Sequence, residues 1–248
     1  MTVIGLEGLG EVRAGDSIGR LIWEAWSRQG ESLLEGDIFV VAHKIVSKAE
    51  GRLIRLAEIN PSARALQIGQ DLGKDPVLLE VILRESRRII RMGRSTIIVE
   101  THHGFVCANA GVDLSNVGLG YVALLPQDPD QSASMIREEI TRLSGVAPGV
   151  IISDSFGRPW RLGTTDIAVG VAGFKPLKDY RGVSDRYGYE LKASVAAVAD
   201  ELAGAAELVM GKRGEVPVVL IRGFEVEAGE GSARELLRPE AEDLFRNF

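Results

Sequence analysis

The chain has 248 residues, 45% of them hydrophobic and 26% charged, with a formal net charge of −6. That length buries a sizeable core as one large domain or two small ones, and the acidic balance argues against bulk attraction to nucleic acid or an anionic membrane. Cys107 is the single cysteine, so an internal disulfide and a cysteine-rich zinc site are excluded, and the usage fits a reducing cytoplasm.

Residues Met1 to Gly10 hold no basic run followed by an apolar one. No stretch of the chain approaches the ~20 apolar residues of a membrane span. Asp16 or Ser17 reads as the cap of a helix running to about Ser27. Asp37-Ile-Phe-Val-Val-Ala42, entered through Gly36, reads as a buried strand. The window from Pro61 to Arg88 is expected to hold two helices. Thr96 to Glu100 and Gly120 to Leu125 read as strands. Pro129 to Leu143 reads as a helix capped by Asp128, with Met135, Ile136, Ile140 and Leu143 on its apolar face. Val150 to Ser153 is the next strand. Leu191 to Met210 reads as an alanine-rich helix stopped at Gly211. Val216 to Ile221 closes the series as a strand. The alternation is too irregular for a simple doubly wound sheet, so the pattern predicts a mixed α/β or α+β protein.

Familiar catalytic motifs are absent. There is no GxxxxGK(S/T) phosphate loop, no GxGxxG after a strand and no HExxH. The string Gly15-Asp-Ser-Ile-Gly19 has the letters of a nucleophile elbow, but Glu11-Val-Arg-Ala14 before it is not an apolar strand. His102 and His103 are adjacent and would face opposite ways on a strand, which favours a structural or exposed pair.

Five segments concentrate polar groups. Ala42-His-Lys-Ile-Val-Ser-Lys-Ala-Glu-Gly51 places two lysines, a histidine and a serine at an expected strand end, where they suit phosphate oxygens or simply face solvent. Cys107-Ala-Asn-Ala-Gly-Val-Asp-Leu-Ser-Asn116 offers oxygen donors of the kind Mg²⁺ or Mn²⁺ takes, or an Asx-rich turn. Ser153-Asp-Ser-Phe-Gly-Arg-Pro-Trp-Arg-Leu-Gly-Thr-Thr-Asp166 reads as a loop after a strand. In it Asp154 is a candidate metal ligand, and Arg158 and Arg161 are candidate clamps for phosphate or carboxylate. Trp160 is a stacking platform, and Asp166 is alternatively a cap. Asp179 to Leu191 is a ligand loop, an intersubunit contact or an exposed tyrosine-anchored loop. Val209-Met-Gly-Lys-Arg-Gly214 is a glycine-flanked basic turn.

Together these segments resemble the coenzyme F420-0:L-glutamate ligase family. The resemblance rests on Gly36 to Gly51, Ala108 to Asn116, Ser153 to Asp166, Asp179-Tyr-Arg-Gly and Ala199-Asp-Glu-Leu to Gly211. It implies an α+β fold in an intertwined homodimer. The chain would be a single ligase domain over residues 1–248, with two subdomains an option, in the stand-alone form that lacks a nitroreductase-like C-terminal domain. It implies a cytoplasmic enzyme acting on F420-0, L-glutamate and GTP. GTP would phosphorylate the terminal carboxylate of F420-0, and the amine of glutamate would displace phosphate from that acyl phosphate. Further γ-linked glutamates are an extension of the same step. The implied cofactor is Mg²⁺ or Mn²⁺, with K⁺ a further candidate.

Residue by residue, Asp113 and Asp154 match the family's metal-binding aspartates, and Ser155 stands where a metal-binding threonine is usual. Arg158 joins Asp113 and Asp154 in the expected catalytic set. Lys48 and Asn116 match nucleotide-contacting positions. Leu9-Gly10-Glu11-Val12 matches a nucleotide-contacting stretch, with Gly10 in place of a proline. His43 stands where a small hydroxyl residue is common. Gly211 and Lys212 lie in a loop near the nucleotide, where some relatives carry a metal-ligating amide. Two other readings compete: an amino-acid ligase acting on another carboxylate acceptor, and a silent binding protein on the same fold.

Overall fold

The computed structural model describes residues 1–93, 96–212 and 216–245. Its main sheet has five strands in the order β1 (Thr2–Gly5), β12 (Val218–Arg222), β2 (Ile38–Ala42), β8 (Gly149–Arg158) and β9 (Arg161–Ala172). β2 and β8 run parallel, while the other pairs of this sheet are antiparallel. Ile38, Phe39, Val40 and Val41 are buried, as are Val150, Ile151 and Ile152 opposite them. Such unbroken apolar runs are what strands covered on both faces require. The protein is therefore mixed α/β, as the alternation predicts.

Three helices dress this sheet. α1 (Ile18–Gln29) packs on α5 (Pro129–Ser144), which lies on β8 and β9. α6 (Val198–Met210) packs on β9, β12 and β1. Ser17 caps α1 by accepting the Arg20 N–H, and Asp128 caps α5 by accepting that of Gln131. The GxSxG string is thus a helix start. Gly19 serves packing, because a Cβ there would lie 2.6 Å from the Glu139 side chain.

The long excursion between β2 and β8 carries the remaining elements. α2 (His43–Ala49) follows β2 directly, and β3 (Leu53–Arg55) pairs with β7 (Tyr121–Ala123). α3 (Ala63–Leu72) and α4 (Pro76–Arg84) pack over a sheet of β4 (Ser86–Met92), β5 (Ile97–Thr101) and β6 (Val106–Ala108). Leu79, Ile82, Ile97 and Val99 form a small core there, separate from the main one. β10 (Lys178–Asp179) and β11 (Val195–Ala196) form a two-stranded ribbon.

Four expectations need correction. Ala42 to Gly51 is not a strand end: the backbone turns at Ala42 into α2. Ser153 to Asp166 is not a loop but the two arms of the β8–β9 hairpin. α6 starts at Val198, and residues 191–197 instead supply β11. Met135 is exposed, and Ala133 takes its place on the buried face of α5 with Ile136 and Ile140.

Asp37 anchors the start of β2. It is 1% exposed and accepts the Leu34 N–H at 2.9 Å and both arms of the Arg222 guanidinium at 2.9 and 2.7 Å. The pair ties the entry of β2 to the exit of β12. Asp37→Ala removes the anion, leaves the Leu34 N–H without its acceptor and leaves the Arg222 guanidinium only the Ser32 carbonyl and the more distant Glu31, so it should cost about 3 kcal/mol. Urea denaturation would show this as a lowered midpoint, with Asp37→Asn losing less.

Candidate active site

The parallel strands β2 and β8 end side by side, with Ala42 opposite Ser153. Beyond that point β2 becomes α2, and β8 runs on with only β9 beside it. A cleft of about 870 Å³ opens there. Crevices at the carboxyl ends of parallel strands are a general ligand position in α/β proteins, because the chain turns away and leaves space.

Six parts of the chain wall the cleft, one of them Val216 and Pro217 just before β12. The loop Gly8–Val12 closes one side. α2 supplies His43, Lys44 and Lys48. The segment before β7 supplies Asp113, Ser115 and Asn116. The hairpin supplies Ser153, Asp154, Ser155 and Asp166. The end of α6 adds Glu207, Gly211 and Lys212. Of the residues matched to the family or placed in the expected catalytic set, all line this cleft except Arg158; the candidates Trp160 and Arg161 also lie outside it.

Arg158 is exposed near the hairpin tip and donates to the Leu162 carbonyl at 3.2 Å. Trp160 and Arg161 are exposed there too. Arg213 and Gly214 lie outside the described residues. His102 and His103 contact the Arg84, Pro126 and Gln127 carbonyls through Nε2, a structural use. Tyr187 and Tyr189 project from a turn whose backbone N–H groups donate to Asp185.

Lys44 Nζ lies 2.8 Å from Asp113 Oδ2 and 2.5 Å from Ser115 Oγ. The Ser115 N–H donates to Asp113 Oδ1 at 2.7 Å. Burial pushes the Asp113 pKa upward, but the Lys44 ammonium and the Ser115 N–H outweigh it and hold the carboxyl below its ordinary value. Lys48 pairs with Glu11 at 2.7 Å, linking α2 to the N-terminal loop.

Asp166 is nearly buried and accepts from Ser153 Oγ at 3.0 Å and Ser155 Oγ at 2.6 Å. Lys212 Nζ lies 2.6 Å from Ser155 Oγ, 2.8 Å from Glu207 and 3.8 Å from Asp166. Burial lowers the Lys212 pKa, but Glu207 and Asp166 more than offset it, so the ammonium is held above its ordinary value. Sequence reasoning included Asp166 in the polar segment, with a cap as its alternative, and passed over Glu207. The spacing Ser153, Ser155 and Asp166 carries the signal only once the two arms are paired.

Asp154 lies 3.2 Å from the buried His43 Nε2 and accepts the Ser155 N–H at 2.7 Å through the same oxygen, Oδ1. Cys107 is buried nearby, and that burial, with the Asp154 charge, pushes its thiol up to about 12. Such a thiol is not a nucleophile near neutral pH.

The donor set suits a hard divalent cation. Asp113, Asp154 and Ser155 offer oxygens, and such ions keep water and phosphate among their ligands. Among the described residues no group of three or more His, Cys, Asp or Glu is clustered closely enough to hold a metal alone. Three lysines face five carboxylates across the cleft: Lys44, Lys48 and Lys212 against Glu11, Asp113, Asp154, Asp166 and Glu207. A polyanion is therefore accepted there only with added positive charge.

The cleft thus brings carboxylate and hydroxyl oxygens together with three ammonium groups. The F420-0:Gamma-glutamyl ligase family model matches residues 8–223. The Coenzyme F420:L-glutamate ligase of Methanothermobacter thermautotrophicus is 51% identical over 249 residues, covering 99% of each chain. The proteins of the same name from Methanocaldococcus jannaschii and Archaeoglobus fulgidus are 50% identical over 86% of each chain and 42% identical over 98% of this chain and 96% of theirs. The chain belongs to the F420-0:Gamma-glutamyl ligase family.

The Asp113 assignment can be checked by titration. Its carboxyl ¹³C resonance should have a midpoint below the ordinary ~3.9. Lys44→Met should raise that midpoint, because burial is then opposed by less. The sign for stability follows: the ionised carboxylate contributes above the unfolded pKa, and that contribution is lost as pH falls through the lowered folded value. An unmoved midpoint in Lys44→Met would remove Lys44 as the cause.

Proposed function

We propose that this protein is a GTP-dependent ligase that joins L-glutamate to coenzyme F420-0 through an acyl phosphate, releasing GDP and phosphate. Further γ-linked glutamates would be added by the same chemistry. The reading is carried by one observation: Leu9 to Val12, His43, Lys48, Asp113, Asn116, Asp154, Ser155 and Lys212, scattered through the sequence, wall a single cleft. The names of the family and of its relatives point to F420 and L-glutamate as substrates.

The chain's residues divide the work by charge. Lys44, Lys48 and Lys212 are the ammonium groups available to phosphate oxygens once their carboxylate partners turn to a cation. Asp113, Asp154 and Ser155 would hold Mg²⁺ or Mn²⁺, which neutralises phosphoryl charge when bound. K⁺ remains a candidate for the surrounding carboxylates. An acceptor carboxylate oxygen attacks the γ-phosphorus and GDP leaves. The glutamate amine then attacks the acyl carbon and phosphate leaves with that oxygen. No enzyme nucleophile is needed: Cys107 is buried and protonated, and Ser17 is a helix cap.

A homodimer belongs to this reading. Trp160 is 81% exposed, Leu162 is 99% exposed and Leu208 is 86% exposed. These apolar groups on the hairpin and α6 suit burial against a second copy. No helix of the described residues is long and apolar enough to cross a membrane.

The mechanism is tested with F420-0 labelled by oxygen-18 in its terminal carboxylate, incubated with GTP, glutamate and Mn²⁺. Label should appear in the released phosphate. Unlabelled phosphate with GMP formed would overturn the acyl phosphate in favour of nucleotidyl transfer. Asp113→Asn and Asp154→Asn should each lower the rate by roughly 10²-fold or more, as loss of a preorganised electrostatic group does. Cys107→Ala should keep the chemistry. Ser17→Ala should lose only about 1 kcal/mol of stability through its cap.

A further inference from the structure

His43 is the first residue of α2 and is 2% exposed. Burying an imidazole in place of an apolar side chain costs free energy unless its polar atoms are used. Nδ1 lies 3.4 Å from Ser47 Oγ, one turn along the helix, and that hydroxyl also donates to the His43 carbonyl at 3.0 Å. Nε2 is closed to solvent and has no aligned hydrogen-bond partner. The group it faces is Asp154 Oδ1, at 3.2 Å. The same Oδ1 accepts the Ser155 N–H at 2.7 Å. Among the described residues nothing bonds to Oδ2 of Asp154, and Asp154 lines the cleft.

The asymmetry of the two oxygens is the informative feature. Protein groups crowd Oδ1 and leave Oδ2 for a ligand. The imidazole edge at Nε2, 3.2 Å away, is the second protein group against Oδ1, and Ser47 behind the ring at 3.4 Å from Nδ1 limits its movement. Groups of this kind behind a ligating side chain set its orientation and so its affinity.

We propose that His43 is a positioning residue for Asp154, wedged between Ser47 and the carboxylate, that turns Oδ1 inward and presents Oδ2 to a divalent cation in the cleft. The inference rests on the metal reading of Asp154 above. His43 touches no reacting atom in this scheme. It acts through the rotamer of Asp154.

The test is Mn²⁺ binding, read from the electron paramagnetic resonance of free Mn²⁺, in the whole protein and in variants shown by circular dichroism to be folded. Wild type should bind Mn²⁺, and Asp154→Asn should weaken it. His43→Leu should raise the Mn²⁺ dissociation constant by about 10- to 100-fold. The Mn²⁺ concentration for half-maximal ligase rate should rise in parallel, with kcat at saturating Mn²⁺ falling much less. His43→Gln, whose amide N–H can still reach Oδ1, should recover most of the affinity. Wild-type affinity in folded His43→Leu would overturn the proposal. Should His43→Leu not fold, His43→Gln and His43→Asn decide the matter, because the asparagine amide is one methylene too short. Equal affinity of that pair overturns the proposal. Equal Mn²⁺ binding by wild type and Asp154→Asn would instead defeat the metal reading of Asp154, and this inference with it.

Discussion

The parallel pairing of β2 with β8 is the constraint on which the site depends. Parallel neighbours cannot be joined by a tight turn. The chain must therefore leave Ala42 and return at Gly149 after a long excursion. That excursion first makes α2, which carries His43, Lys44 and Lys48 over the strand ends. It later brings Asp113 back beside Lys44. The register is fixed by close packing, since a Cβ on Gly149 would sit 3.0 Å from the Phe174 ring and 3.1 Å from Ile38. With that contact in place, Ala42 and Ser153 end level, and everything chemical is added just beyond them.

The electrostatic arrangement follows from the same crowding. Each of the three lysines rests on a carboxylate: Lys44 on Asp113, Lys48 on Glu11 and Lys212 on Glu207. In this state the positive groups are spent on the protein's own anions. Under the proposed function, a divalent cation at Asp113 would compete with Lys44, and the ion that took the carboxylate would free the ammonium for a phosphate oxygen. The opposite ends of the cleft differ: Lys212 and Asp166 share Ser155, whereas Asp154 faces His43 and the inert Cys107.

Much of the frame was legible in the sequence for identifiable reasons. β2 and β8 are apolar runs covered on both faces, and α1 and α5 carry capping side chains at their starts. α2 was not legible, because its seven residues include Ile45 and Val46 and its N-cap, Ala42, makes no side-chain cap bond. The start of α6 was placed too early for a similar reason: Ala197 provides no cap, and alanines continue upstream of it. β4 was missed because Arg87, Arg88 and Arg91 break its apolar alternation. In the site, the matched residues could be named one by one, but their partners could not. Asp166 meets Ser153 and Ser155 through hairpin register, and no local pattern reports a register. Arg158 lies outside the cleft, since the dense run of charges that reads as a loop is an arm of the β8–β9 hairpin.

That ribbon exposes a consequence of the overhang. β8 loses β2 as a neighbour after Ser153, and an extra residue on β9 shifts the register between Ile152 and Ser153. Bulges of this kind re-aim side chains at sites. Beyond it, alternation sends Ser153 and Ser155 to one face, where Asp166 accepts from both, and Asp154 to the other, where His43 waits. Ser153, Asp154, Ser155 and Asp166 all line the cleft, which opens where the neighbouring strand has turned into a helix. The cost is an unpaired two-stranded arm tipped with Trp160 and Leu162, and such an arm is marginally stable in water on its own. The overhang that opens the cleft also leaves Trp160 and Leu162 exposed at its tip, and the proposed homodimer would cover them.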